Sequence, residues 1–93
     1  MSKSSPKRLY RLKLAALQAL SEAHPYALPE AALRLEVDGQ VRPPMDDGEF
    51  TDLLIELETS TPPHIARLPI QMAEEPLRWV CTEAGQALLA RRK

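Results

Sequence analysis

Leu77-Arg78-Trp79-Val80-Cys81-Thr82-Glu83-Ala84-Gly85-Gln86-Ala87-Leu88-Leu89 is the stretch whose periodicity decides the fold. Its first five residues alternate, placing Leu77, Trp79 and Cys81 on one face of a compact strand. Thr82 then offers an N-cap hydroxyl, and the apolar spacing of Ala84, Ala87, Leu88 and Leu89 changes to that of a helix. Arg91 and Arg92 would complete that helix with cations that suit its dipole. Upstream, residues 73–76 read as a polar turn and residues 64–72 as an apolar-rich strand, so the two runs predict a β-hairpin. Pro69 cannot donate to a ladder and is expected on an outer edge or at a bulge. Trp79, the single tryptophan, is placed in the core by its face-mates, with an interface anchor as the alternative.

Towards the N-terminus the pattern is helical. Residues 1–5 read as a disordered basic N-terminus, after which Ser5-Pro6 supplies a capping side chain and a proline at the first helical position. Leu9, Leu12, Ala16 and Leu20 share one face of this first helix, and Tyr10, Leu14 and Leu17 widen it to about half the circumference. An arc that broad suggests neighbours on two sides, and a homodimer through this helix is one way to cover it. Pro25 ends the helix. A short extended segment leads to Pro29-Glu30 and a second helix, which Asp38-Gly39 is expected to close with a left-handed glycine. Residues 40–45, with Pro43-Pro44, form a loop. Asp46 and Glu49 have capping-box spacing, and Phe50, Leu53, Leu54 and Leu57 follow at i, i+3, i+4 and i+7, the firmest helix in the chain.

The order is therefore helix, short strand, helix, loop, helix, two-stranded hairpin, helix: an α+β, mainly helical class occupying residues 6–93 as a single domain. With this order in place, the passage from Arg78 to Leu89 resembles the end of the wing in MarR-like and PadR-like winged helix-turn-helix regulators. In those families an aromatic-bearing strand runs into a Thr-x-x-Gly helix start followed by leucines, here Trp79, Thr82 and Gly85. The resemblance covers roughly residues 26–90 and implies a three-helix core, a β-hairpin wing and a C-terminal helix. It implies DNA binding as a common activity, through a short turn and a basic or amide-rich third helix. This sequence departs on both counts, with a longer, proline-bearing turn at residues 38–45 and an acidic third helix.

Ninety-three residues allow one modest core. An apolar share of 44% against 27% charged is that of a globular chain rather than a disordered one. The lone Cys81 makes no internal disulfide, and Arg11, Lys13 and Gln18 interrupt the first helix too soon for a signal peptide or a membrane span, so the expected setting is cytoplasmic, with no membrane. His24, His64 and Cys81 have no zinc-ligand spacing, and the three glycines form no phosphate loop, so no catalysis, metal, cofactor or small-molecule substrate is expected.

The net charge of −1 conceals an uneven distribution: residues 14–60 hold ten carboxylates against Arg34 and Arg42, while both ends are basic. No Lys, Arg, Asn or Gln occurs between Arg42 and Arg67. Phosphate neutralisation and major-groove readout both depend on such donors, so the third helix is a poor DNA reader. Its outer side reads either as an ordinary solvated face or as a protein-binding surface. In the second reading Ile55 is an apolar anchor and Asp52 and Glu56 its acidic rim, drawing a basic partner. The alternative function is direct DNA binding, with Lys7, Arg8, Arg11, Arg67, Arg78, Arg91 and Arg92 contacting phosphates through hairpin and termini, unless those cations are merely solubilising.

Overall fold

Ser5 accepts a hydrogen bond from the Arg8 amide at 3.2 Å and opens α1 (Pro6–Ala23), with proline at its first turn. The computed structural model describes residues 5–69 and 72–91; residues 1–4 of the expected N-terminal segment, and Arg92, lie outside them. The chain continues through β1 (Leu28–Pro29), α2 (Glu30–Asp38), α3 (Asp47–Thr59), β2 (Ile65–Arg67), β3 (Arg78–Cys81) and α4 (Glu83–Arg91). Asp46 caps α3, its carboxylate accepting the Glu49 amide at 2.7 Å. The stop of α2 differs from expectation. Gly39 keeps right-handed helical geometry, with φ −70° and ψ −19°, and its amide bonds back to Leu35. The helix unwinds through a turn at Gln40 instead of reversing at a left-handed residue.

The three strands form one antiparallel sheet in the order β1-β3-β2. Leu28 pairs with Trp79 on one side of β3, and Ile65, Ala66 and Arg67 pair with Cys81, Val80 and Trp79 on the other. β2 is thus an edge strand. Pro69 lies just beyond it and exposed, where its missing amide proton costs no ladder bond.

α1 packs against α2, α3, β3 and α4. Leu12, Ala16, Leu17 and Leu20 are fully buried between these neighbours, together with Leu33, Val37, Leu53, Leu57 and Ile65. Each such leucine contributes about 1.5–3 kcal/mol by leaving water. Most of the broad apolar arc that suggested a dimer surface is used within the chain, although Tyr10 stays 46% exposed and Leu14 is only half-buried, outside the core. Trp79 is a core residue, 2% exposed, and its indole N–H donates to Glu30 at 3.0 Å.

The junction of β3 and α4 explains the Thr-x-x-Gly spacing. Thr82 Oγ1 accepts the Gly85 amide at 3.1 Å and donates to the Pro63 carbonyl at 2.6 Å, while the Thr82 amide donates to the His64 carbonyl at 3.1 Å. These bonds pull the first turn of α4 onto the start of β2. A Cβ at position 85 would sit 2.2 Å from the His64 carbonyl oxygen, 2.9 Å from Cys81 Sγ and 3.0 Å from a Leu17 methyl. Only glycine fits that approach.

Candidate interaction site on the third helix

Phe50, Leu53, Leu54 and Leu57 turn one side of α3 inward, which fixes the outward line as Gly48, Thr51, Asp52, Ile55 and Thr59. Ile55 lies at the centre of that line and is 53% exposed. Together with Asp52, Glu56 and Leu9 of α1 it borders a shallow hollow of about 210 Å3. The three residues singled out from the sequence are therefore neighbours on one surface.

The electrostatics of this surface differ from a count of its charges. Glu49 is gripped by Arg8, whose Nε and Nη2 donate to its two carboxylate oxygens at 2.6 and 2.9 Å. Glu58 receives an equivalent two-point contact from Arg67, both bonds 2.7 Å long. These hydrogen bonds hold the Glu58 carboxyl below its ordinary range and raise both arginines above theirs. Lys13 reaches Glu56 at 3.3 Å, and Arg34 pairs with Asp47. Asp52 alone among the acids of α3 has no partner among the described residues. The expected acidic surface is largely neutralised at its borders, and a central strip of one isoleucine, two threonines and one aspartate remains.

The same pairs occupy cations assigned to phosphate. Arg8 holds Glu49 and also donates to the carbonyls of Arg42 and Pro43. Arg67 is bound to Glu58 and lies 5.2 Å from the Trp79 ring centre, and Arg78 has Glu75 at 3.7 Å. Lys7, Arg11 and Arg91 are exposed on α1 and α4. The Arg78–Glu75 pair is local, at i,i+3, but the Arg8–Glu49 contact joins residues 41 positions apart and has no local sequence signal.

The turn between α2 and α3, long and proline-bearing in sequence, is pinned rather than loose. Met45 is buried within it; its amide donates to Asp38 Oδ1 at 3.1 Å and its carbonyl accepts from Arg34 at 3.0 Å. Arg34 also lies 5.6 Å from the Phe50 ring centre, tying the turn to the base of α3.

His64 and Cys81 flank the β2–β3 end of the core. Burial, followed by the charges of Lys13 and Arg91, lowers the His64 pKa, and its Nδ1 is buried without a hydrogen-bond partner. Burial raises the Cys81 thiol, which makes it a poor nucleophile. Among the described residues no cluster of three or more His, Cys, Asp or Glu is placed to hold a metal ion, and no helix is long and apolar enough to cross a membrane. No family model matches the chain, and no curated protein or solved structure matches it either.

Proposed function

We propose that the chain is a non-enzymatic winged-helix module that acts through protein–protein association, within a DNA-handling or transcription-regulatory assembly. Support for the architecture comes from β1, which lies between α1 and α2 in sequence yet pairs with β3 of the hairpin, completing a sheet beside three helices. β2 and β3 then serve as the wing and α3 as the presented helix. A fold of this kind hosts many activities, so the function rests on the surface.

The observation that carries the interaction reading is the solvent face of α3. It presents Ile55 among Thr51, Asp52 and Thr59, with no cation or amide side chain, and the neighbouring charges are already matched in pairs. A half-exposed aliphatic side chain beside two threonines and a single unpaired carboxylate suits burial against a protein. It offers nothing to phosphate or to base edges. The attraction for a basic partner is smaller than the sequence implied and rests on Asp52.

Ile55→Asp tests this reading. The variant is expected to lose co-purification with a partner while unfolding within about 0.5 kcal/mol of the parent, because the site is exposed. Retained co-purification, or a large loss of stability, would overturn it. Binding to random duplex DNA as a function of salt tests the alternative: a steep salt slope would restore direct DNA binding, and affinity weaker than millimolar at low salt would remove it.

A further inference from the structure

A cleft of about 660 Å3 runs between α1 and the loop that follows α2. Arg8 and Arg11 of α1 and Arg42 of the loop line it, and Leu14, Ala15 and Val41 give it an apolar floor. We propose that this cleft binds a small organic acid, taking the carboxylate at the arginines and an apolar body along the floor. The site shares no lining residue with the hollow around Ile55, and the inference does not depend on the function proposed for that surface.

The polarity of the cleft follows from the order of residues along α1. Arg8 and Arg11 occupy successive turns at its N-terminal end, and Gln18 comes about 10–15 Å further on at 1.5 Å per residue. Arg8 also draws the loop towards that end through its bonds to the Arg42 and Pro43 carbonyls. Along α1, Arg8 and Arg11 therefore mark one end of the cleft and Gln18 the other, while Arg42, its guanidinium held on the Asp38 and Val41 carbonyls, lines the cleft from the facing loop.

The arginines do different work. Arg8 is committed to Glu49 and to the loop carbonyls, so it braces the wall. Arg42 uses only Nη1, on the carbonyls of Asp38 and Val41, and Arg11 has no side-chain partner among the described residues. Two guanidinium groups thus keep donors for a ligand. Among the described residues no carboxylate lines the cleft: Glu49 is held by Arg8, Asp38 accepts from the Met45 amide, and Glu22 receives the Gln18 amide at 3.3 Å. Planar, two-pronged donors with no resident anion favour a carboxylate. The floor supplies what a bare inorganic anion would not use, since Leu14 and Val41 are half-buried and Ala15 is buried beneath the opening. The volume falls in the range of small-molecule sites. A concave cleft with an apolar floor also suits a compact acid better than the regular backbone of a nucleic acid.

The test uses the full chain, isotope-labelled for NMR, titrated with octanoate and with 1-octanol and octylammonium as neutral and cationic matches of the same body. Octanoate is expected to give saturable shifts grouped at Arg11, Leu14, Gln18, Gln40 and Val41. The alcohol should bind at least about tenfold more weakly, in keeping with the loss of a charge-assisted contact, and the amine should not bind at this place. Arg11→Gln, at an exposed position, should weaken octanoate by about fivefold or more without moving the melting temperature. Equal binding of acid and alcohol would overturn the proposal, as would shifts scattered away from the cleft or an Arg11→Gln affinity equal to the parent's. An acidic peptide that occupies the cleft more tightly than octanoate would replace the small acid with a protein ligand.

Discussion

Gly85→Ala adds one methyl group at the place where α4 meets the sheet and α1. At an open helical position the change would stabilise the chain by about 1 kcal/mol, because alanine loses less backbone entropy than glycine. Here the added carbon would sit 2.2 Å from the His64 carbonyl oxygen, which as a backbone atom cannot rotate aside, and 2.9 Å from Cys81 Sγ. Relief requires α4 to move by about 1 Å, with an overpacking cost of about 1–3 kcal/mol. That movement stretches the bond from the Thr82 amide to the same carbonyl, worth about 1 kcal/mol more. After subtracting the propensity gain, the net loss is about 1–3 kcal/mol, a fall in melting temperature of roughly 5–20 °C for a chain of this size. Thermal unfolding followed by far-ultraviolet circular dichroism reads it directly. Gly48→Ala is the matched control: its Cβ would meet only the Asp46 carboxylate at 3.5 Å, and the variant should melt at the parent's temperature or above. A Gly85→Ala protein as stable as the parent would refute the close approach, and with it the account of the Thr-x-x-Gly start.

The remaining predictions concern the core near β3. His64 is lowered from its ordinary value of 6.5 by burial, then by Lys13 and Arg91, so as pH falls the unfolded chain takes up this proton first. Its share of stability is intact above pH 6.5 and declines as pH drops below that value, until the folded group is itself protonated. Urea titrations should show this slope and its absence in His64→Gln; an unchanged slope in the variant would assign it elsewhere. Trp79→Phe removes the indole bond to Glu30 and leaves a small void, and should cost about 1–3 kcal/mol in urea unfolding. A loss under about 0.5 kcal/mol would show the indole to be dispensable.

The elements legible in the sequence were those specified within a few residues. Ser5-Pro6 and Asp46 with Glu49 set two helix starts, and the alternation of Leu77, Trp79 and Cys81 set the central strand. Each signal lies within one or two turns, or within one strand. Gly39 misled because glycine permits the left-handed stop without requiring it, and here a turn at Gln40 ends the helix. Met45 lay in a stretch whose prolines read as a loop, but Asp38 and Arg34 tie its backbone and let its side chain reach the core. The cleft beside α1 was illegible for a related reason. Its walls come from two segments that are 22 positions apart at their nearest lining residues, Gln18 and Gln40, and neither segment carries a site signature alone.

Charge shows the limit most clearly, because a run of acids counted along the chain says nothing about which cations fold against it. Glu49, Glu56, Glu58 and Asp47 would make α3 strongly anionic if the helix stood alone. Arg8 and Lys13 of α1, Arg34 of α2 and Arg67 of β2 arrive from three other elements to meet them. Two consequences follow from the same pairs. The face loses most of its long-range pull on a basic partner, so an association there depends on fit around Ile55 and is only weakly sensitive to salt. The hairpin and α1 lose cations that a phosphate backbone would need, since Arg8 or Arg67 could serve DNA only by releasing a two-point carboxylate contact. Both readings drawn from the one-dimensional distribution of charge weaken together, and the aliphatic side chain that remains uncovered between them becomes the feature that any partner of α3 must answer.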